Sequence, residues 1–150
     1  MVFEALELKD RVGSEIRTDV ASLLTPEVAG KVRRLLVERG VLVFKQLMLT
    51  TEQQLTLSRL MGSLREEGQQ GLLKITLDKT INARADYLKG SFLWHIDGTH
   101  DDVPPFASLL TGVTLSDTGG QTEFANTYAA YEALPQGMKD RIAGLKVVHG

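Results

Sequence analysis

Apolar positions recur at helical spacing in one early stretch of the chain. Val28, Val32, Leu35 and Leu36 share a helix face, while Arg33, Arg34 and Glu38 fall on the other. The flanking residues agree with that reading. Thr25 is placed to cap the amino end, Pro26 suits the first helical position, Glu27 suits the positive end of the helix dipole, and Gly40 is a natural stop. Thr51-Glu52-Gln53-Gln54 has the spacing of a capping box, Thr51 with Gln54, and predicts a second helix that buries Leu57, Leu60 and Met61 and ends at Gly62. Elsewhere the pattern shortens to strand-like runs: Val12 to Arg17, Val41 to Phe44, Leu72 to Leu77, Leu88 to Ile96, Phe106 to Leu115, Thr122 to Ala125, and a start at Lys146 to His149. Asp78 to Leu88 is polar and reads as a loop. Asp101 to Pro105 is irregular because Pro104 and Pro105 restrict themselves and their predecessors, and Ser116 to Gly120 reads as a turn. Asn126 caps a helix carrying Tyr128, Tyr131 and Leu134 and broken at Pro135, and Met138, Ile142 and Leu145 predict one more. The order of elements predicts a β-rich core with helices packed outside it.

Composition narrows the classes. A chain of 150 residues is about one domain, with a hydrophobic fraction of 43% and a charged fraction of 24%, ordinary for a soluble globular protein. The net charge of −2 and the lack of a basic block argue against nucleic acid as a partner. There is no cysteine, which removes disulfides, thiolate metal sites and a cysteine nucleophile, and fits a reducing cytoplasm. The amino terminus has neither the basic start nor the apolar core of a signal peptide, and the apolar runs are far too short to span a membrane. Neither a glycine-rich phosphate loop nor a Gly-x-Ser-x-Gly elbow is present.

The chemistry concentrates in Phe92-Leu93-Trp94-His95-Ile96-Asp97-Gly98-Thr99-His100-Asp101. On a strand, alternate side chains share a face, so Phe92, Trp94 and Ile96 stand on one side and Leu93, His95 and Asp97 on the other. An imidazole and a carboxylate are thereby presented together. They form either two of the three donors of a facial triad for ferrous iron or an ordinary hydrogen-bonded pair.

The larger context favours the first reading. Trp94-His95-Ile96-Asp97, then Pro104-Pro105, then Gly119-Gly120-Gln121-Thr122-Glu123-Phe124-Ala125, then Ala129-Ala130-Tyr131-Glu132-Ala133-Leu134 occur in one order. Upstream, Gly40 to Phe44 precedes a helix ending near Met61-Gly62. This arrangement resembles the taurine dioxygenase and 2,4-dichlorophenoxyacetate dioxygenase (TauD/TfdA) family of Fe(II)- and 2-oxoglutarate-dependent oxygenases. The resemblance implies an α+β, mainly β fold with a double-stranded β-helix, or jelly-roll, core, of which residues 1–150 are the N-terminal portion of a single domain. It implies that His95 and Asp97 are iron ligands and that the Thr122 hydroxyl helps hold a 2-oxoglutarate carboxylate. Read on its own, Thr122 is a β-branched strand residue whose hydroxyl bonds locally. Trp94 reads as core packing, and Tyr128 and Tyr131 as packing of a helix against the sheet.

The family's third ligand, a histidine, and its 2-oxoglutarate arginine fall past residue 150. His149 matches a different histidine, and His100 reads as a loop residue near the mouth of the site. A jelly roll lacking its later strands leaves edges and an apolar face open, so residues 1–150 alone are expected to be unstable, aggregated or dependent on a partner. Taurine enzymes carry histidines where this chain has Arg65-Glu66-Glu67, and the Gly-Gly-Gln-Thr-Glu-Phe-Ala wording is nearer the herbicide-degrading branch. The implied activity is hydroxylation of a small, anionic organic substrate, with dioxygen consumed and succinate and carbon dioxide released. Association into a homo-oligomer is compatible with it. The rival is a non-catalytic, cupin-like jelly-roll binding module. A metal-dependent hydrolase is a third reading, but the chain has neither a His-x-His nor a His-Glu-x-x-His pattern.

Overall fold

A computed structural model of the chain describes residues 3–65, 71–83, 85–99 and 101–148. They divide into two compact units, one of Met1–Gly62 with Thr111–Gly150 and one of Ser63–Leu110.

The first unit is built on a three-stranded mixed sheet. Strand β1 (Phe3–Glu7) pairs antiparallel with β2 (Ser14–Thr18), Phe3 opposite Thr18 and Glu7 opposite Ser14. The chain then runs through α1 (Val20–Leu23) and α2 (Pro26–Arg39) to β3 (Leu42–Val43), which lies parallel to β2 with Ser14 opposite Leu42. A helix between parallel neighbours is the usual solution, because a parallel pair cannot be closed by a tight turn. The α2 punctuation is as the sequence predicts. The Thr25 hydroxyl accepts from the Val28 amide, Pro26 opens the helix, and Gly40, at φ +70, closes it. Val28, Ala29 and Val32 are fully buried, whereas Leu35 and Leu36 are half-buried. Arg39, in the last turn, is buried too, with its guanidinium donating to the backbone carbonyls of Lys9, Asp10 and Gly13. It ties the end of α2 to the β1–β2 connection.

Helix α3 (Thr51–Met61) packs on α2, where Arg33 Nε donates to the Met61 carbonyl at 2.9 Å. Its capping box is formed by Thr50 and Gln53, one residue before the predicted pair of Thr51 and Gln54, and its buried residues are Leu55, Leu57 and Met61, with Leu60 only half-buried. Both threonine–glutamine pairs satisfy the spacing rule. Thr50 takes the role because its extended backbone, φ −69 and ψ 162, stands outside the helix. Downstream, α5 (Thr127–Glu132) is capped by Asn126, whose side chain accepts from the Ala129 amide, and α6 (Gln136–Ile142) follows Pro135.

Leu23 is 0% exposed. Truncating a leucine at such a site costs about 2–5 kcal/mol through lost transfer energy and the cavity left behind. Leu23→Ala should therefore lower the urea midpoint while leaving the slope of the transition unchanged. An unmoved midpoint would show that the site collapses without cost or is not core.

The second unit is largely irregular. It contains α4 (Ala85–Leu88) and a 3-10 helix (Lys89–Phe92), where the sequence predicts a loop running into a strand. Among the described residues, Leu72–Leu77, Phe106–Leu115, Thr122–Ala125 and 146–148 are not strands either, and the sheet has only β1, β2 and β3. The described residues therefore show a small mixed sheet with helices, without the strand pairing of a double-stranded β-helix. Alternating side chains define a face, but a strand exists only where a neighbour takes up its N–H and C=O groups. Ile75, Leu77, Trp94, Ile96, Leu110, Val113 and Leu115 are instead exposed.

Candidate metal centre

The 3-10 helix ends at Phe92, and Leu93 is the first extended residue after it, φ −91 and ψ 153. Trp94, His95 and Ile96 continue without a strand partner, and Asp97-Gly98-Thr99 form a turn. Here the chain doubles back. The Asp101 amide donates to the Gly98 carbonyl at 3.1 Å, and Gly98 sits at φ +64, in the left-handed region that side-chain-bearing residues avoid. A Cβ at this position would lie 2.5 Å from Pro105 Cδ and 3.0 Å from an Asp101 carboxylate oxygen. That carboxylate is itself paired with the Arg65 guanidinium.

The two donors converge. His95 Nε2 lies 3.3 Å from Asp97 Oδ1, with both side chains about half exposed. The other polar atom of each has its own partner within the same unit. His95 Nδ1 is 2.7 Å from the Leu93 carbonyl oxygen. A carbonyl only accepts, so Nδ1 carries a hydrogen and Nε2 is the ring nitrogen that faces Asp97. Ser108 Oγ donates to Asp97 Oδ2 at 2.9 Å, which leaves Oδ1 turned toward the imidazole. Two protein donors on neighbouring positions of one cation, each about 2.0–2.2 Å from it, stand roughly 3 Å apart. An imidazole nitrogen and a carboxylate oxygen at this separation suit a divalent ion of the ferrous type. Among the described residues no group of three or more histidine, cysteine or acidic side chains is gathered for a metal.

The predicted residues fare differently. His95 and Asp97 come together on a turn, not along a strand face. Thr122 belongs to the first unit, is exposed, and has no hydrogen-bond partner among the described residues. His100 and His149 lie outside the described residues, as does most of the Arg65-Glu66-Glu67-Gly68 turn. Trp94 is 70% exposed and is not core. Tyr128 and Tyr131 do not pack a helix into the sheet: α5 buries none of its residues, and Tyr131 instead has the Lys139 ammonium over its ring. Two contributors escaped the sequence. Asp97-Gly98 is a turn dipeptide, which could have signalled the glycine. Nothing local marks Ser108, which reaches Asp97 across the Pro104-Pro105 segment.

In the first unit, Arg11, Val12, Val37, Val41, Phe124 and Tyr128 line a cleft of about 380 Å³. Its one cation is engaged: Arg11 pairs with Glu132, holding that carboxyl below the usual range, and its backbone carbonyl accepts from Asn126.

A turn of the second unit thus brings an imidazole and a carboxylate together, each with its own outer hydrogen bond. Comparison with known proteins is more specific. Residues 4–150 match the family described as "Taurine catabolism dioxygenase TauD, TfdA family", and the chain belongs to that family. It is 32% identical over 119 residues to the (S)-phenoxypropionate/alpha-ketoglutarate-dioxygenase of Sphingobium herbicidovorans, covering 75% of this chain and 41% of that protein. It is 30% identical over 169 residues to the alpha-ketoglutarate-dependent 2,4-dichlorophenoxyacetate dioxygenase of Cupriavidus pinatubonensis, covering 97% and 53%. An alkylsulfatase of Acinetobacter baylyi is 32% identical over 152 residues, covering 95% and 45%. The chain thus spans about half the length of these relatives. A crystal structure of AAD-2 in complex with Mn(II) and N-oxalylglycine superposes with a TM-score of 0.69 at 26% identity, over 94% of this chain and 49% of that one.

Proposed function

We propose that this chain forms part of a non-haem Fe(II)- and 2-oxoglutarate-dependent dioxygenase that hydroxylates a small, anionic organic substrate. The observation that carries the proposal is the convergence of His95 Nε2 and Asp97 Oδ1 at 3.3 Å, with Nδ1 and Oδ2 held by other groups, in a chain of this family. His95 and Asp97 are the proposed cation donors. When bound, ferrous iron would activate dioxygen, the four-electron oxidant, with two electrons drawn from 2-oxoglutarate as it becomes succinate and carbon dioxide and two from the hydroxylated substrate. The residues of the chain bind, orient and exclude competing reactions. The substrate class follows the relatives, two of whose names specify phenoxypropionate and 2,4-dichlorophenoxyacetate and one of which is an alkylsulfatase. Residues 1–150 are proposed to belong to a single domain with the family's jelly-roll core, in line with the superposition on AAD-2.

Thr122 is proposed to donate its hydroxyl to a carboxylate of 2-oxoglutarate, a role for which its exposed oxygen is suited. A hydrogen bond to a charged group contributes about 1.5–3 kcal/mol, and about 1.4 kcal/mol is tenfold in an equilibrium constant. The test is to screen phenoxy acids, sulfonates and sulfate esters with the whole enzyme of which this chain is proposed to form part, with ferrous iron and ascorbate, following succinate formation and oxygen uptake together. A substrate that couples the two is the expected result. With it, Thr122→Val should raise KM for 2-oxoglutarate about tenfold and leave KM for the primary substrate unchanged. An unaltered 2-oxoglutarate dependence would confine the hydroxyl to a structural role.

A further inference from the structure

The carboxylate of Asp97 has two oxygens that are chemically equivalent until something distinguishes them. In this structure two contacts do so: Oδ2 accepts from Ser108 Oγ at 2.9 Å, and Oδ1 stands 3.3 Å from His95 Nε2. The terminal torsion of an aspartate is broad and roughly two-fold, so an exposed carboxylate left alone samples both orientations and those between. Asp97 is exposed, with a side chain 59% accessible. Packing therefore does little to hold it, and among the described residues Ser108 is its only hydrogen-bond donor.

We infer that Ser108 is a positioning residue of the metal centre, which selects Oδ1 as the single oxygen that Asp97 offers to the cation. This rests on the reading of His95 and Asp97 as cation donors, and it concerns how that site is set. Three features favour it over a surface hydroxyl in chance contact. Ser108 is eleven positions from Asp97 in the sequence, so the bond is not a local turn contact. The segment between them is fixed at both ends of its bend. Pro105 packs against the turn at Gly98, where no Cβ could stand, and the Asp101 amide closes the same turn onto the Gly98 carbonyl. Finally, the bond completes a pattern that His95 shows independently, in which the atom facing away from the partner donor is tied to an oxygen of the chain. A hydrogen bond to the non-ligating oxygen also disfavours the bidentate mode, which would use both oxygens for the cation and leave one fewer position for other ligands.

Outer hydrogen bonds of this kind typically change metal affinity by about 10–100-fold when removed. The probe is Mn(II), titrated into the full chain and followed by the loss of the free-ion electron paramagnetic resonance signal. Co(II) absorption in the visible range reports ligand geometry. Ser108→Ala should weaken Mn(II) binding about tenfold or more and alter the Co(II) spectrum, while far-ultraviolet circular dichroism and the thermal midpoint stay at wild-type values. Ser108→Thr, which keeps the hydroxyl, should restore both signals. His95→Ala serves as the reference for the site itself. If Mn(II) binds the wild type and is lost in His95→Ala, yet Ser108→Ala binds with unchanged affinity and an unchanged Co(II) spectrum, the positioning role is overturned and the donor assignment stands. If His95→Ala binds as the wild type does, the donor assignment fails and the inference falls with it. If Ser108→Ala is misfolded, the Ser108→Thr and Ser108→Val pair decides, since the two are similar in size and only the threonine can donate. Equal Mn(II) affinities for that pair also overturn the inference.

Discussion

In the proposed enzyme, His95→Ala and Asp97→Asn should each abolish 2-oxoglutarate turnover, by at least about a thousandfold, or about 4 kcal/mol of transition-state stabilisation. The size follows from the site's small donor set. His95 and Asp97 are the two proposed donors and no third is gathered with them among the described residues, so removing one removes half of the proposed set. The imidazole cannot be replaced by a water without losing the orientation fixed by the Leu93 carbonyl. Asparagine in place of Asp97 keeps the volume and one oxygen but removes the negative charge that a hard divalent ion requires. Mn(II) affinity should fall by more than the roughly 10–100-fold typical of outer-contact losses. Calorimetric titration and a succinate assay on the same preparations check both expectations. Retention of wild-type Mn(II) affinity in both variants would falsify the donor assignment, and retention of affinity with loss of turnover would move the two residues to substrate handling.

Gly98→Ala should destabilise the second unit strongly for a single added methyl. The residue sits at φ +64, where a side chain costs about 1–2 kcal/mol. The new Cβ would also meet Pro105 Cδ at 2.5 Å and Cγ at 2.9 Å. A proline ring cannot rotate aside as a long flexible side chain can, so the 101–105 segment must shift, and overpacking of this sort adds about 1–3 kcal/mol. The total of about 2–5 kcal/mol falls on the turn that separates Asp97 from Asp101. Amide exchange across residues 85–110 should accelerate, and Mn(II) affinity should drop with it, whereas exchange in α2 and α3 should not change. A variant with wild-type exchange and affinity would mean that the turn has a second, unstrained conformation of equal energy.

Where the signals were local, the sequence was readable to within a residue. Thr25, Pro26 and Gly40 bracket α2 because capping and proline preferences act within one turn of helix, and Asn126 caps α5 for the same reason. The one-residue slip at α3 arose because Thr50 and Thr51 are each three residues from a glutamine, and only the backbone angle of Thr50 separates them. Strands were less readable. β1 escaped notice because Phe3 to Glu7 is short and half exposed, and its pairing with β2 is a property of two segments together. Leu72–Leu77 and Phe106–Leu115 have the composition of strands, but composition does not supply a partner. His95 and Asp97 were legible as a spacing, though the face they share is made by a turn. Ser108 was not legible, because a hydrogen bond spanning eleven residues depends on a bend that no short motif encodes.

The two outer hydrogen bonds differ in what genetic change can do to them. The group that orients His95 is the main-chain carbonyl of Leu93, which every amino acid at position 93 supplies. No single codon change there removes it, so the imidazole's tautomer and direction are protected against drift. The group that orients Asp97 is a side-chain hydroxyl, which many single substitutions at Ser108 delete. The imidazole half of the pair is thus mutationally buffered and the carboxylate half is tunable. Adaptive variation in cation preference or binding strength should therefore accumulate at position 108, not at position 93.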